Sequence, residues 1–301
     1  MNEQEFVHRP VLLDECIDAL AIRPDGIYLD GTLGRAGHSR EIARRLTTGR
    51  LICVDRDQAA LDAAADKLGE QMERVTLVHS NFDRLDEILD TLGIGGVNGM
   101  LFDLGVSSPQ LDDPARGFSY MQDAPLDMRM DRTDTLTART VVNEWPQEEL
   151  RRILYQYGEE RYAPAIAAAI VRARDQKTIE TTLELVDVIR CAMPPAALRE
   201  KQHPAKRTFQ AVRIAVNDEL AAVDRMVGTA VPRLVSGGRL AVISFHSLED
   251  RIVKNALAAF AKGCTCPPDF PVCVCGKKPS VRLVHKKPIV SGARELEENP
   301  R

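Results

Sequence analysis

The feature that most constrains the fold of this 301-residue chain is a regular alternation of short apolar runs with helix-length segments. The apolar runs cover residues 27–30, 51–55, 75–79 and 100–104, and the pattern returns at 238–244. They are rich in β-branched residues, as buried parallel strands are. The segments between them, 39–46, 58–68 and 84–92, have the length of helices. This repeat predicts an α/β fold with a doubly wound parallel sheet.

The strand pattern is interrupted from about residue 112 to residue 204, where helical segments alternate with prolines and polar turns. We therefore predict a sheet domain whose first part is 1–111, an inserted helical domain at 112–205, and a second part of the sheet domain at 206–301. The last part begins with an amphipathic segment that extends to about residue 226. Its apolar residues recur at helical spacing, so we expect one long helix that packs back onto the sheet.

The first predicted strand leads into a glycine-rich turn. Gly31, Gly34 and Gly37 recur at every third position, and glycines at a strand-to-helix turn let the backbone approach a ligand closely. The spacing G-x-x-G-x-x-G is neither the dinucleotide fingerprint nor the phosphate loop, which disfavours a pyrophosphate ligand. Asp55 ends the second strand, where a carboxylate accepts hydrogen bonds from ribose hydroxyls. A ribose without a pyrophosphate favours S-adenosylmethionine; the alternative is that these residues only build a tight corner.

The third and fourth strands also end in candidate binding residues. Phe82 follows the third strand and either lies against an adenine face or belongs to the core. Asp103 ends the fourth strand and begins the segment that runs to Gln110. In open α/β sheets this carboxyl edge is where ligands bind.

Together these segments resemble one family, the bacterial 16S rRNA (cytosine-N4) methyltransferases of the RsmH or MraW type. The resemblance covers nearly the whole chain, and it includes residues 8–15, 30–39, 55–57, 104–113, 116–119, 125–131, 157–161, 203–213 and 244–251. It implies a class I S-adenosylmethionine-dependent methyltransferase with a Rossmann-like sheet and an inserted substrate-recognition domain. The implied substrate is a cytidine in the decoding centre of 16S rRNA, methylated on its exocyclic amine. The cofactor contacts implied by the resemblance are Ala36, Gly37, His38, Asp55, Phe82, Asp103 and Gln110. One departure is Ala36, where we expect glycine in many relatives.

The exocyclic amine of cytosine is a poor nucleophile because its lone pair is delocalised into the ring. Oxygen acceptors near the transferred methyl group would hold the amine protons, and we assign this catalytic role to Asp103 and to the loop at Ser107. Methylation at ring carbon 5 would instead require a thiolate. Cys53 lies within a predicted buried strand, and no cysteine occurs between it and Cys191. The sequence therefore favours the amine.

The formal net charge is only −4, but lysines and arginines are concentrated in two segments. Either segment is a phosphate-binding surface or an ordinary solvated face. The first segment contains Arg199, Lys201, Lys206, Arg207 and Arg213. The second contains Lys277, Lys278, Arg282, Lys286, Lys287 and Arg294. His246 either contacts substrate or starts the helix that follows it, and the acidic residues at 249 and 250 favour the second role.

Four cysteines near the end of the chain form the pattern C-x-C, six residues, C-x-C: Cys264, Cys266, Cys273 and Cys275. They are either a zinc site or free, oxidisable thiols, and no metal is assigned to the reaction itself. The chain shows neither a signal-peptide pattern nor an apolar run of membrane-spanning length, so we expect a cytoplasmic protein without a membrane partner. The expected partner is 16S rRNA within the small ribosomal subunit or free, and a homodimer is left open. Rival readings are a DNA or protein amine methyltransferase, a ribosome-assembly factor and, with the wrong glycine spacing, a nicotinamide dehydrogenase.

Overall fold

The structure is a computed structural model that describes residues 9–267, 269–285, 287–292 and 295. The chain divides into two compact units. The first joins the described residues up to Leu104 with those from Ala222 onward, and the second is Gly105–Ala221. The second unit therefore begins before and ends after the predicted insertion at 112–205. That the inserted part recognises substrate stays a prediction.

The first unit is built on a parallel sheet with the strand order β3-β2-β1-β4-β5. The strands are β1 Ile27–Asp30, β2 Arg50–Asp55, β3 Val75–His79, β4 Val97–Asp103 and β5 Leu234–Ile243. Alternate residues of each strand enter different apolar clusters. Leu51 and Cys53 pack with helix residues on one face, whereas Ile52 and Val54 pack with helix residues on the other. Because helices cover both faces, successive residues in the middle of a strand such as β2 are apolar, and the predicted doubly wound fold is confirmed.

The helices follow the strands as the alternation predicts, and a second group fills the inserted unit. In chain order they are α1 Leu13–Leu20, α2 Gly37–Arg44, α3 Gln58–Leu68, α4 Leu85–Thr91, α5 Ser108–Asp112, α6 Ala138–Glu144, α7 Gln147–Gln156, α8 Ala163–Arg174, α9 Thr182–Ala192, α10 Lys206–Asn217, α11 Glu219–Ala230 and α12 Ser247–Lys262. Short 3-10 helices lie at Gly69–Arg74, Phe82–Arg84, Pro114–Arg116 and Ala197–Arg199. In the described part of the chain, no helix combines the length and the apolar character that a membrane crossing needs.

The expectation of one long helix from residue 206 to residue 226 was wrong. Asp218 has a left-handed backbone with φ of 50° and separates α10 from α11. Phe209 and Val212 of α10 pack in the core of the second unit, whereas Val223 and Met226 of α11 pack in a cluster with the sheet. The periodicity of apolar residues continues across this break, so it does not reveal that the two halves enter different cores.

Candidate active site

The candidate site lies at the carboxyl edge of the sheet, at the point where the order of the strands reverses. β2 and β3 extend from one side of β1, and β4 and β5 extend from the other. Ligands of open α/β sheets bind at such a switch point. The last residues of β1, β2 and β4 are Asp30, Asp55 and Asp103. This edge therefore carries three carboxylates.

The glycine turn after β1 is tied to both neighbouring strands. The N–H of Gly31 donates to the carbonyl of Leu101 in β4 at 2.9 Å, and the N–H of Leu33 donates to the carbonyl of Val54 in β2 at 3.0 Å. A Cβ at Gly31 would lie closer than 3.0 Å to the buried ring of Phe102. The turn is thus fixed against the sheet at a point that only glycine fits.

The end of the turn has its own steric requirements. Gly34 and Ala36 both have left-handed backbones, with φ of 48° and 59°. Ala36 directly precedes α2, and this conformation is costly for a residue with a Cβ. A Cβ at Gly37 would lie closer than 3.0 Å to the ring of Pro10. Ala36, where we expect glycine in many relatives, therefore occupies a position whose backbone conformation favours glycine.

Asp55 is held by two backbone donors. Its Oδ2 accepts a hydrogen bond of 2.8 Å from the N–H of Gly34, and its Oδ1 accepts one of 2.8 Å from the N–H of Asp57. Burial raises the pKa of Asp55 to about 6. A carboxylate has about four acceptor positions, so each oxygen retains capacity for a further donor such as a ribose hydroxyl.

Asp30 is a buried residue of this edge that the sequence analysis did not single out. It accepts a hydrogen bond of 2.6 Å from the hydroxyl of Ser39 and one of 3.1 Å from the N–H of Thr32. Burial raises the pKa of Asp30. Its position as the first residue of the glycine turn was the available sequence clue. These hydrogen bonds from Ser39 and Thr32 stabilise the glycine turn.

Asp103 combines a fixed backbone with a buried oxygen that lacks a hydrogen bond. Its N–H donates to the hydroxyl of Thr32 at 2.6 Å. Its Oδ1 is buried and has no hydrogen-bond partner among the described residues. Burial raises the pKa of Asp103 to about 7, and the charges of Asp30 and Glu249 add to this effect. A buried oxygen without a partner is unfavourable, so Asp103 is suited to accept a proton or a hydrogen bond from a ligand.

His38 lies beside Asp103 but does not bind it directly. Its Nδ1 is 4.0 Å from Oδ2 of Asp103, and its Nε2 is 3.0 Å from the carbonyl oxygen of Val11. Burial lowers the pKa of His38. The neutral ring is therefore favoured, with its proton on Nε2 facing the Val11 carbonyl.

Phe82 lies in a short 3-10 helix after β3, and its ring packs edge-on against Phe102 with a centroid distance of 5.8 Å. It is half-buried at the border of the core. Ser107 and Gln110 belong to the second unit, where the N–H of Ser107 donates to Oε1 of Gln110 at 3.0 Å in the capping box that starts α5. The ligand contacts of Phe82 and Gln110 and the catalytic role of Ser107 stay predictions.

His246 starts α12, as the sequence favoured. Its side chain accepts a hydrogen bond from the N–H of Glu249, and its Nε2 is 3.3 Å from a carboxylate oxygen of Glu249. Both side chains are largely buried. These contacts give His246 a structural role at the N-cap.

The described basic residues of the two segments fall into two groups, one in a buried ion pair and the others with exposed side chains. Arg213 forms a two-point ion pair with Glu219, at 2.8 and 2.9 Å, and both side chains are largely buried. It is therefore unsuited to phosphate binding. The exposed members are Arg199, Lys201, Lys206, Arg207, Lys277, Lys278, Arg282 and Lys287. Lys286 and Arg294 lie outside the described residues.

A parallel, doubly wound sheet with a glycine turn after β1 and carboxylates ending β1, β2 and β4 places the chain among the Rossmann-like α/β proteins, which bind ligands at this edge of the sheet. Residues 5–301 match the model of the MraW methylase family, and the chain belongs to that family. It is 57% identical over 297 residues to the ribosomal RNA small subunit methyltransferase H of Symbiobacterium thermophilum, covering 98% of this chain and 93% of the relative. The enzyme of the same name from Brevibacillus brevis is 54% identical over 302 residues, covering 100% of this chain and 96% of that one.

Among solved structures, an rRNA methylase from Streptococcus thermophilus aligns with 20% identity and a TM-score of 0.26, over 31% of this chain and 52% of that one. The assignment to the family rests on the family model and on the sequence relatives, and not on this structural alignment. It confirms the family that the sequence motifs indicated.

Proposed function

We propose that this chain transfers the methyl group of S-adenosylmethionine to the exocyclic amine of a cytidine in the decoding centre of 16S rRNA. Relatives over the whole chain are small-subunit rRNA methyltransferases, and this supports both the reaction class and the RNA substrate. The observation that carries the choice of an amine is Oδ1 of Asp103, which is buried at the switch point of the sheet and has no hydrogen-bond partner within the described part of the chain. We further propose that the protein binds this RNA within the small ribosomal subunit, in the cytoplasm.

The carboxyl edge of the first unit fits the proposed cofactor. Asp55 offers two partly used carboxylate oxygens for ribose hydroxyls. Gly37 and His38 begin α2, and the first N–H groups of a helix favour a carboxylate such as that of the methionine part. Ala36 is the left-handed residue that directly precedes α2, and Phe82 supplies an aromatic ring after β3. When bound, S-adenosylmethionine supplies a methyl group on a positively charged sulfur.

Asp103 would act on the substrate amine. As the amine nitrogen bonds to the methyl carbon and the carbon–sulfur bond breaks, the nitrogen gains positive charge and must lose a proton. Burial gives the Asp103 carboxyl a pKa of about 7, which lies near neutral pH, where a general base is most effective. Thr32 fixes the backbone of Asp103 through a bond of 2.6 Å. Holding the acceptor in place lowers the entropic cost of reaching the transition state.

The two thiols that pack in the apolar cluster of the sheet, Cys16 and Cys53, support an amine rather than ring carbon 5 as the methyl acceptor. Cys53 is fully buried in β2, its Sγ lies 3.2 Å from the hydroxyl of Ser39, and burial raises its pKa well above the usual value. Burial likewise raises the pKa of Cys16 to about 12. Neither thiol forms the thiolate that carbon-5 chemistry requires.

The test is methyl transfer from labelled S-adenosylmethionine to small subunits and naked 16S rRNA from cells that lack the gene, with duplex DNA as a rival substrate. Nucleoside mass spectrometry then identifies the product. We expect N4-methylcytidine at one decoding-centre position. Labelling of carbon 5, of DNA alone or of protein alone would overturn the proposal.

The role of Asp103 is tested by Asp103→Asn, which keeps the size of the side chain and removes its basicity. A proton-acceptor role predicts a fall in kcat of about 100-fold or more with cofactor affinity within a few-fold of wild type. Loss of cofactor binding in calorimetry would instead assign Asp103 to the cofactor. Asp62→Asn, an exposed change on α3, is the matched control and should leave both quantities unchanged.

A further inference from the structure

Four cysteine side chains meet in the segment that follows α12. The sulfur atoms of Cys264, Cys266, Cys273 and Cys275 all lie within 4.8 Å of one another. Cys273 Sγ is 3.6 Å from Cys264 Sγ, 3.6 Å from Cys275 Sγ and 4.0 Å from Cys266 Sγ, and the sulfurs of Cys264 and Cys275 are 3.7 Å apart. None of these pairs is a disulfide, which would bring two sulfurs to about 2.05 Å.

These separations match the edges of a single metal tetrahedron. Zinc binds thiolate sulfur at about 2.3 Å in tetrahedral sites, which places the sulfurs about 3.8 Å apart. The separations of 3.6–4.0 Å lie on both sides of that value. A polynuclear iron–sulfur cluster has sulfide ions between its metals and spreads the cysteine sulfurs farther than one ion does. The arrangement therefore fits one tetrahedral ion.

Each C-x-C pair donates one backbone hydrogen bond to a sulfur of the other pair. Thr265, the middle residue of the first C-x-C pair, donates its N–H to Cys275 Sγ of the second pair at 3.5 Å. Val274, the middle residue of the second pair, donates its N–H to Cys266 Sγ of the first pair at 3.4 Å. Donors directed at sulfur stabilise thiolate ligands and orient them. Each short spacing thus supplies two ligands and one donor across the cluster.

The lobe that carries these cysteines, residues 263–279, buries no apolar side chain among its described residues. Between Gly263 and Pro279 its described residues form neither helix nor strand, and Val272 and Val274 are exposed by 70% and 72%. The two ends of the lobe nevertheless contact each other. Lys278 packs directly against Gly263, where a Cβ would overlap its backbone, and the N–H of Ser280 donates to the carbonyl of Phe260 at 3.0 Å. A segment this small, without a core, requires a cross-link to hold one shape.

We propose that Cys264, Cys266, Cys273 and Cys275 bind one structural zinc ion. Binding forms four zinc–sulfur bonds and releases one proton from each thiol, while zinc remains divalent and no electrons are exchanged. Four protein ligands leave no open position, so the site is structural. The ion fixes the lobe that begins at the end of α12 and carries Lys277 and Lys278 on its exposed surface. This inference does not depend on the methyl acceptor or on the cofactor residues.

The experiment measures metal content in full-length protein purified without chelator or metal-affinity resin. We expect about one zinc per chain by mass spectrometry of the metals, and its release when a mercurial reagent titrates the thiols. The double variant Cys264→Ser/Cys273→Ser should lose the zinc. Cys191→Ser, which changes an exposed cysteine outside the cluster, should keep it.

Two further measurements keep the test independent of variant folding. Cobalt(II) exchanged into the wild-type protein should show the intense visible absorption of a tetrahedral tetrathiolate site. Removal of zinc should open the lobe between residues 264 and 277 to protease while the sheet unfolds at an unchanged temperature. Wild-type protein with no metal, with iron in place of zinc, or with disulfides among these cysteines would overturn the proposal. So would zinc that persists in the double variant.

Discussion

The hydroxyl of Thr32 accepts a hydrogen bond of 2.6 Å from the backbone N–H of Asp103. This bond joins the glycine turn after β1 to the end of β4. It therefore spans the switch point of the sheet and connects the proposed cofactor loop with the proposed proton acceptor.

Replacement of Thr32 by valine keeps the shape of the side chain but removes this acceptor. We expect Thr32→Val to lower kcat by about 10-fold or more, because loss of positioning reduces transition-state stabilisation. The free energy of unfolding should fall by about 1–2 kcal/mol. Thr32→Ser retains a hydroxyl and should restore most of the activity. Equal activity of the valine and serine variants would contradict a positioning role.

Asp103 also predicts how stability depends on pH. Its pKa rises from the ordinary 3.8 to about 7 in the folded protein. Between these values the folded state binds more protons than the unfolded state, so stability falls as pH rises and the full penalty remains above pH 7. Asp103→Asn removes this titration. We expect it to stabilise the protein by on the order of 1–3 kcal/mol at pH 8 and by less at pH 5.

Denaturant unfolding at both pH values measures the difference. Asp62→Asn on the exposed side of α3 serves as the control and should show no such dependence. A gain for Asp103→Asn that is the same at pH 5 and pH 8 would show that the carboxyl does not titrate in this range.

Asp55 is expected to carry cofactor affinity. Asp55→Ala removes the proposed ribose acceptors and leaves the N–H groups of Gly34 and Asp57 without their present partner. Loss of a charge-assisted hydrogen bond costs about 1.5–3 kcal/mol, so we expect the Kd for S-adenosylmethionine to rise at least about 10-fold in calorimetry. Unchanged affinity in a folded variant would remove Asp55 from the cofactor site.

Gly37 is expected to be intolerant of even a methyl group. A Cβ there would overlap the rigid ring of Pro10, whereas a Cβ at Gly95 would meet nothing within 4 Å. Gly37→Ala should destabilise the protein by about 1–3 kcal/mol, as overpacking does, and should weaken cofactor binding. Gly95→Ala is the matched control in thermal unfolding. Equal melting temperatures for the two variants would show that the loop moves away from Pro10 without cost.

The exposed lysines of the cysteine lobe are expected to contribute to RNA binding through phosphates. Each phosphate contact adds about 0.7–0.9 to the slope of log affinity against log salt. Lys277→Ala/Lys278→Ala should therefore lower the slope for 16S rRNA binding by about 1 to 2. Lys254→Ala, whose lysine pairs with Asp250 at 3.1 Å on α12, is the control. A salt slope equal to that of wild type would place both lysines outside the RNA interface.

Much of the sheet was predictable because its information is local. Buried parallel strands must be apolar on both faces, and this requirement marked the places of all the strands. β5 was the least accurate, since it begins at Leu234 and its register with β4 shifts between Val97 and Gly99. The exposed residues at the start of β5 do not resemble a buried strand.

Candidate residues at strand ends were predictable for a similar reason. Parallel strands end at one edge, so Asp55 and Asp103 follow from the strand pattern alone. Asp30 was missed as a separate group because its role depends on Ser39, nine positions later in α2. Arg213 is paired with Glu219, and no property of a basic segment shows which of its members form such pairs.

The sequence by itself determined the alternation of strands and helices, the glycine turn and the positions of Asp55 and Asp103 at strand ends, because each depends on the spacing of neighbouring residues. Only the tertiary structure decided that Asp218 sends α10 and α11 into different cores, that a buried oxygen of Asp103 has no hydrogen-bond partner among the residues described, and that four cysteines meet at metal-binding distances. These features depend on which distant residues surround a backbone or a side chain. Burial and pairing of that kind are set by packing, which short-range sequence patterns do not encode.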